Sequence, residues 1–352
     1  MSRYHIAVIA GDGVGPEVIA EGKKVLNALG SPVVTFTDFP WSSNFYRQTG
    51  RFIPEGGLDE VKGFDAIFFG AVGDPDIQDH VTLNNLILPI RRYFDQYACV
   101  RPAYLFHGVR SPLADRTGGD IDLTVIRENT EGEYADIGGR IYQHTGQEVA
   151  VQTAVFTRHG TERIIRYAFE EARRRKKKNK VTSITKSNAQ GYSMVFWDEV
   201  FKEVAREYPD VRTESLLIDA ASMDFVRRPQ DFDVVVASNL FGDILTDLSA
   251  IIIGSMGLAP SANLNPERKA PSMFEPVHGS AFDLIGKGIV NPLATILAGA
   301  MMLDFLGEGA ACERIYRAVA DNLRETNLRT PDIGGSASTS QVGDDIARRV
   351  AG

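Results

Sequence analysis

Cysteine is nearly absent from this chain of 352 residues: there are two, Cys99 and Cys312, and they form no pair motif. That excludes a disulfide scaffold. Long apolar runs are missing as well, so nothing is long enough to span a bilayer. The opening "MSRYHIAVIAGDG" passes straight into a strand and a turn without a signal-peptide core. The expectation is a cytoplasmic protein in a reducing compartment. Positive charge is in deficit, with 38 Lys and Arg against 46 Asp and Glu and a formal net charge of -8. Such a balance argues against a general nucleic-acid or acidic-membrane partner. Internal repeats and low-complexity linkers are also lacking.

What is present is the composition of a folded soluble protein, 43% hydrophobic and 24% charged. The length exceeds one ordinary core and implies two domains, or one large α/β domain with an insertion. The one basic run, "EEARRRKKKNK", reads as the end of an exposed helix, where cations complement the dipole. A nucleic-acid tail is the competing reading, and no aromatics interleave there to favour it.

Strand-like and helix-like stretches alternate. "YHIAVIAG", "VVTFTDF", "FDAIFFGA" and "DIDLTVIREN" read as strands, while "ITKSN" and "VVVASN" read as strand ends followed by helices. The helix after the first strand carries Pro16 near its start and Gly30 past its end. "LNNLILPIRRYFDQY" reads as a helix that Pro89 starts or kinks. The pattern predicts an α/β fold with polar residues gathered past the strands' carboxyl ends, where open sheets place ligands. "GRIYQHTGQEVAVQTAVFTRHG" alternates like a hairpin and suits an arm that pairs with another subunit.

The turn "GDGVGPEV" invites a dinucleotide reading, but Gly11, Gly13 and Gly15 give G-x-G-x-G rather than G-x-G-x-x-G. A tight turn into a proline-initiated helix explains it equally well. In "NLFGDILTDLSA", Gly242 is read as a tight exit from the preceding strand. Asp243 and Asp247 then share a helix face one turn apart, where like charges repel unless a cation lies between them. A metal site and a solvated helix start both account for them. Asp219 in "LLIDAASMDFV" suits a helix N-cap or a third metal carboxylate. Arg91, Arg101 and Arg127 have the planar fork that grips carboxylates, although each alone also suits a surface ion pair. Tyr134 in "RENTEGEY" and Lys186 in "ITKSN" have ordinary explanations as a packed tyrosine and a solvated strand end. Beside cations and a metal, such groups exchange protons near neutrality.

Taken together, "GDGVGPEV", "RENTEGEY", "TKSN", "NLFGDILTDL" and "FEPVHGSAFDLIGKGIVNP" occur in an order that resembles the β-decarboxylating dehydrogenases. This is the isocitrate and isopropylmalate dehydrogenase family, and the resemblance covers nearly the whole chain. "DHVTLNNLILPIRRYFDQYACVRP", "SANLNPER" and "GAMMLDFLG" are most similar to the branch acting on tartrate and D-malate.

The resemblance implies a two-domain α/β fold that is not a Rossmann fold. A large cofactor-binding domain would come from both chain ends, 1–98 and 255–352. A smaller domain, 99–254, would carry a dimer arm at about 134–156, and the active site would lie between the two domains. Asp219, Asp243 and Asp247 would hold Mg²⁺ or Mn²⁺, and a monovalent cation such as K⁺ could assist. Arg91, Arg101 and Arg127 would bind the substrate's carboxylates, Lys186 would take the hydroxyl proton, and Tyr134 would protonate C3. Lys186 and Asp219 would serve the partner's site, making a homodimer necessary for activity.

For the cofactor, Glu275, His278, Gly279, Ser280, Ala281, Asp283, Leu284 and Asn291 resemble the adenosine-binding region, with Asn188 and Asp332 as further contacts. Asp283 would accept from both ribose hydroxyls and repel a 2′-phosphate, which implies NAD. Phe282 departs from the family's usual proline. Asn84 and Asn85 either read a C3 hydroxyl or cap the helix. The implied reaction is NAD-dependent oxidation of (2R)-hydroxy dicarboxylic acids: D-malate to pyruvate and CO₂, with tartrate as a second substrate. An isopropylmalate dehydrogenase is the alternative within the family, and a non-catalytic binding protein of the same fold the alternative outside it.

Overall fold

The computed structural model describes residues 2–352, and within them a mixed α/β fold of two compact units. The first unit comprises 1–96, 100–122 and 247–352, and the second 97–99 and 123–246. In chain order the strands are β1 (Arg3–Gly11), β2 (Val33–Asp38), β3 (Ala66–Ala71), β4 (Ala98–Tyr104), β5 (Asp122–Glu128), β6 (Gly132–Ile141), β7 (Val149–Val155), β8 (Lys180–Thr185), β9 (Arg212–Leu217), β10 (Val234–Ala237), β11 (Pro260–Leu264) and β12 (Ser272–Pro276).

In the first unit the strand order is β2-β1-β3-β12-β11-β4; β2, β1, β3 and β12 run parallel to one another, and β11 runs against β12. β3 is buried along its whole length, which is why "AIFFGA" carries no polar residue. The Gly15–Ala28 helix follows β1, with Pro16 in its first turn. The Leu293–Phe305 helix is apolar on nearly every face because nearly every face is covered. Segment 100–122 belongs here rather than to the smaller unit, so the division falls away from the expected 98/99 boundary. Its bonds explain this: Arg101 donates to Ser261, Leu105 N to Ile121 O, and Ser111 Oγ to Ile252 O. Likewise, the later crossing falls at 246/247 instead of 254/255.

Pro89 lies in a helical run with an unusual path. Asp79–Thr82 is α-helical, Leu83–Ile87 is a π-helical stretch, and Leu88–Tyr93 resumes the α-helix with Pro89 in its first turn. The wider turn is closed by Leu88 N donating to Leu83 O. Asn85 Nδ2 donates to Val81 O at 2.7 Å, a side-chain bond back onto the helix's own backbone.

The second unit's parallel strands run β5-β10-β8-β9. β6 and β7 form a separate antiparallel pair, Gly132 to Val155, whose outer part exposes Ile137, Ile141 and Val151. The hairpin expected from alternation is therefore present. The basic run ends the Arg158–Arg175 helix, and its arginines are engaged: Arg173 with Asp210, Arg174 with Glu171, Arg175 with Asp233.

Candidate active site

In the first unit, Arg91 sits in the last turn of Leu88–Tyr93 and is 4% exposed. It donates to Glu275 Oε1 at 3.1 Å, and Asn263 Nδ2 donates to the same oxygen at 2.7 Å. All three side chains are buried. An ion pair desolvated this far depends on its remaining hydrogen bonds, yet Arg91 Nε is buried without a partner among the described residues. That donor is one an anionic ligand can satisfy. Arg101, also buried, donates through Nε to Ser261 Oγ at 3.2 Å. Asn84 is half-buried and Asn85 exposed.

The cofactor-type residues of this unit lie on and beside one loop. His278 Nδ1 lies 3.0 Å from Gly279 O, where it donates, so Nε2 becomes an acceptor. Nε2 is buried with no partner among the described residues, and burial holds the imidazole's pKa below its ordinary value. A ligand N–H, such as an adenine amino group, fits that vacancy in the bonding pattern. Asp283 lies exposed in the 3₁₀ turn Phe282–Leu284, so its carboxylate is open to solvent. Asn291 and Asp332 bond to one another at 2.9 Å, and Asp332 also accepts from Ser255 and Thr330.

The turn after β1 is built around that loop. Val14 N donates to Ser280 O at 2.9 Å, and Asp12 N donates to Ala71 O at 2.7 Å. Gly13 has φ +58°, and a Cβ there would lie 2.0 Å from Ser280 O. Glycine is needed for both the conformation and the approach. Asp12 completes the anchor by accepting from Ser43 N, Ser43 Oγ and Gly73 N. These amides are committed to the protein, consistent with the turn's departure from the phosphate-binding pattern.

In the second unit, the carboxyl end of β5 delivers Arg127, which is 1% exposed. Its Nε and Nη2 both donate to Asn239 Oδ1, at 3.0 and 2.6 Å, and Nη1 donates to Asp243. Tyr134 Oη donates to the other Asp243 oxygen at 2.9 Å, and the guanidinium carbon lies 5.1 Å from the Tyr134 ring centre. Thus Arg127, Tyr134 and Asp243 form one bonded group. Gly242 is not a strand exit: the Asn239–Ile252 helix has already begun, and Gly242 lies inside it. The reason for glycine is Arg127, because a Cβ at 242 would come within 2.6 Å of Arg127 Cγ.

Lys186 follows β8 and donates to Asp219 Oδ1 at 2.6 Å. Asp219 is the second residue of the Ile218–Arg227 helix, with Leu217 as N-cap, so the N-cap expectation is off by two positions. The Lys186 bond, then the backbone amide, holds its pKa below the ordinary carboxylate value. Asn188 is exposed just beyond. Next to Arg127, Glu128 is fully enclosed, and burial pushes its carboxyl up to about 7 although Thr130 and Glu131 donate to it.

Among the described residues, no three His, Cys, Asp or Glu side chains gather closely enough to hold a metal ion. The donor set nevertheless suits a hard cation. Asp243 and Asp247 supply carboxylates from one helix, and Asp247 is exposed. Sequence reasoning passed over Asn239, Asn263 and Ser261. Asn239 stood inside the quoted "VVVASN" but was read only as a strand end; an asparagine opening a helix beside two aspartates was the available signal.

A family model described as isocitrate/isopropylmalate dehydrogenase matches residues 5–346. A probable tartrate dehydrogenase/decarboxylase of Agrobacterium vitis is 49% identical over 356 residues, covering 100% of this chain and 99% of the relative. The D-malate dehydrogenase [decarboxylating] of Escherichia coli K12 is 49% identical over 357 residues, with 99% of each chain covered. A crystal structure of isocitrate dehydrogenase from Methylococcus capsulatus superimposes with a TM-score of 0.90 at 38% identity, covering 99% of this chain and 100% of that one. No helix among the described residues is long and apolar enough to cross a membrane. The chain belongs to the isocitrate/isopropylmalate dehydrogenase family.

Proposed function

We propose that this protein oxidises (2R)-hydroxy dicarboxylic acids with NAD⁺ and a divalent cation, converting D-malate to pyruvate and CO₂ and also acting on tartrate. The observation that carries this reading is the bonded group of Arg127, Tyr134 and Asp243, in which a carboxylate-binding cation, a proton donor and a metal-type carboxylate meet. Relatives named for tartrate and D-malate support the substrate class.

Arg91, Arg101 and Arg127 bind the two carboxylates of the substrate and orient C2 and C3. Lys186 of the partner subunit, as the neutral amine, accepts the C2 hydroxyl proton at Nζ, and Tyr134 delivers a proton to C3 from Oη after CO₂ has left. Asp243 and Asp247 would hold Mn²⁺ or Mg²⁺ together with Asp219 of the partner subunit. When bound, the cation would supply Lewis acidity and the dinucleotide would supply redox chemistry. His278, Asp283 and Asn291 bind the adenosine portion, and the exposed carboxylate of Asp283 selects NAD over NADP. K⁺ assists as a monovalent cation. The β6–β7 hairpin pairs two subunits into a homodimer, and the protein works in the cytoplasm.

The test is a set of initial rates of NADH formation with chelator-stripped protein and restored Mn²⁺, on D-malate, L-tartrate, 3-isopropylmalate and isocitrate. Turnover of D-malate and tartrate is expected. Preference for isopropylmalate overturns the substrate assignment, and silence on all four overturns the enzymatic one.

A further inference from the structure

Arg127 is the most deeply buried of the three arginines, and a neutral group holds two of its nitrogens while Asp243 pairs with the third. Asn239 is 0% exposed, and its single amide oxygen accepts from both Nε and Nη2 of Arg127. Its amide nitrogen donates to Glu131 O at 3.0 Å, which fixes which way the amide faces. Two further bonds hold the residues on either side of Asn239. It opens the Asn239–Ile252 helix, where Glu133 accepts from Ser238 Oγ at 2.8 Å and from Leu240 N at 3.1 Å. One turn on, Gly242 leaves room for the Arg127 stem, with no space for a methyl group.

Asp243 already pairs with Nη1, and a carboxylate in the place of the amide would set a second negative charge against the same guanidinium. The amide holds the Nε and Nη2 side of the fork without that second charge. We propose that Asn239 is a positioning residue that orients Arg127 for a substrate carboxylate without adding a second negative charge to that of Asp243. This rests on the reading of Arg127 as a carboxylate-binding residue, and it adds a specificity element: charge neutrality at 239 matters as much as shape.

The distinguishing variants are Asn239→Ala, which removes the acceptor, and Asn239→Asp, which keeps an acceptor and adds charge. Both are compared with Arg127→Lys and with the double variant Asn239→Ala/Arg127→Lys, on whichever of the four hydroxy acids the unaltered protein turns over. The expected result is a rise in KM for the hydroxy acid of about 10- to 100-fold in Asn239→Ala. KM for NAD⁺ should stay within about twofold, since a positioning defect at Arg127 does not touch the cofactor. Asn239→Asp should show an equal or larger KM rise with an unfolding midpoint no lower than that of Asn239→Ala. In the Arg127→Lys background, adding Asn239→Ala should change KM little, because the fork it aligned is gone.

Equal losses for both substrates tracking a lowered midpoint, or additive effects in the double variant, would overturn the inference. The unaltered protein decides the substrate reading separately. If it turns over none of the four, calorimetric titration with D-malate replaces the rates. Weaker binding by Asn239→Ala and Asn239→Asp than by the unaltered protein then supports the inference, and failure of the unaltered protein to bind overturns it.

Discussion

Gly242 and Arg127 exclude any side chain between them: a Cβ on residue 242 would lie 2.6 Å from Arg127 Cγ and 2.7 Å from its Cβ. Alanine is the better helix former by about 1 kcal/mol, so an exposed Gly→Ala change inside a helix would stabilise. Here the clash decides, because Arg127 is 1% exposed and bonded at three nitrogens. Gly242→Ala should lower stability by about 1–3 kcal/mol, as overpacking does, and raise KM for the hydroxy acid. Thermal unfolding and steady-state kinetics check both. A stabilised variant with unchanged KM would show that Arg127 can move aside.

Glu128 predicts a pH dependence of stability. Its carboxyl is raised to about 7 in the folded protein by burial, against 4.5 as the ordinary value. The folded state therefore holds the proton more tightly than the unfolded one. This contribution to stability is fully present below about pH 4.5 and is lost as pH rises through about 7. Glu128→Gln, permanently uncharged, should flatten that part of the curve and gain on the unaltered protein at pH 8. Urea unfolding from pH 5 to pH 8 checks it, and parallel curves for the two proteins would refute it.

Metal binding should be visible without turnover. A ligand that binds only the folded state raises stability by about 2.7 kcal/mol at 100 times its Kd. Mn²⁺ should therefore raise the unfolding midpoint of the chelator-stripped protein, and Asp247→Asn should abolish most of the rise. The metal-free midpoint of Asp247→Asn serves as its own baseline, so that the rise on adding Mn²⁺ is what is compared. An equal Mn²⁺ effect in Asp247→Asn would place the cation elsewhere.

Cofactor preference should follow one charge. With Asp283→Asn, repulsion of a 2′-phosphate disappears while the shape of the side chain is kept. The ratio of kcat/KM for NAD⁺ to that for NADP⁺ should fall about tenfold or more, equivalent to about 1.4 kcal/mol. An unchanged ratio would assign the discrimination to other residues of the loop.

Much of this could be read from sequence because it is written locally. The turn into the Pro16 helix, the β6–β7 hairpin and the strand preceding Lys186 are marked by periodicity and by glycine or proline punctuation. The resemblance to a family added the roles of distant residues, which no window of sequence contains. Asn239 and Gly242 escaped because their meaning depends on Arg127, more than 110 positions earlier. The π-helical stretch Leu83–Ile87 escaped because one hydrogen bond from Leu88 to Leu83 distinguishes it from an ordinary helix, and composition does not record that choice. The unit boundary escaped because segment 100–122 is tied to residues far later in the chain, Arg101 to Ser261 and Ser111 to Ile252.

The contact of Gly13 with Ser280 has a practical consequence for anyone recasting cofactor choice. The turn after β1 is moulded on the loop that carries His278 and Asp283, with Val14 N fastened to Ser280 O. A transplanted 279–284 segment of another length would arrive without its mould. Grafts that preserve the Ser280 carbonyl should be tolerated, whereas those that displace it will need a redesigned 11–15 turn as well.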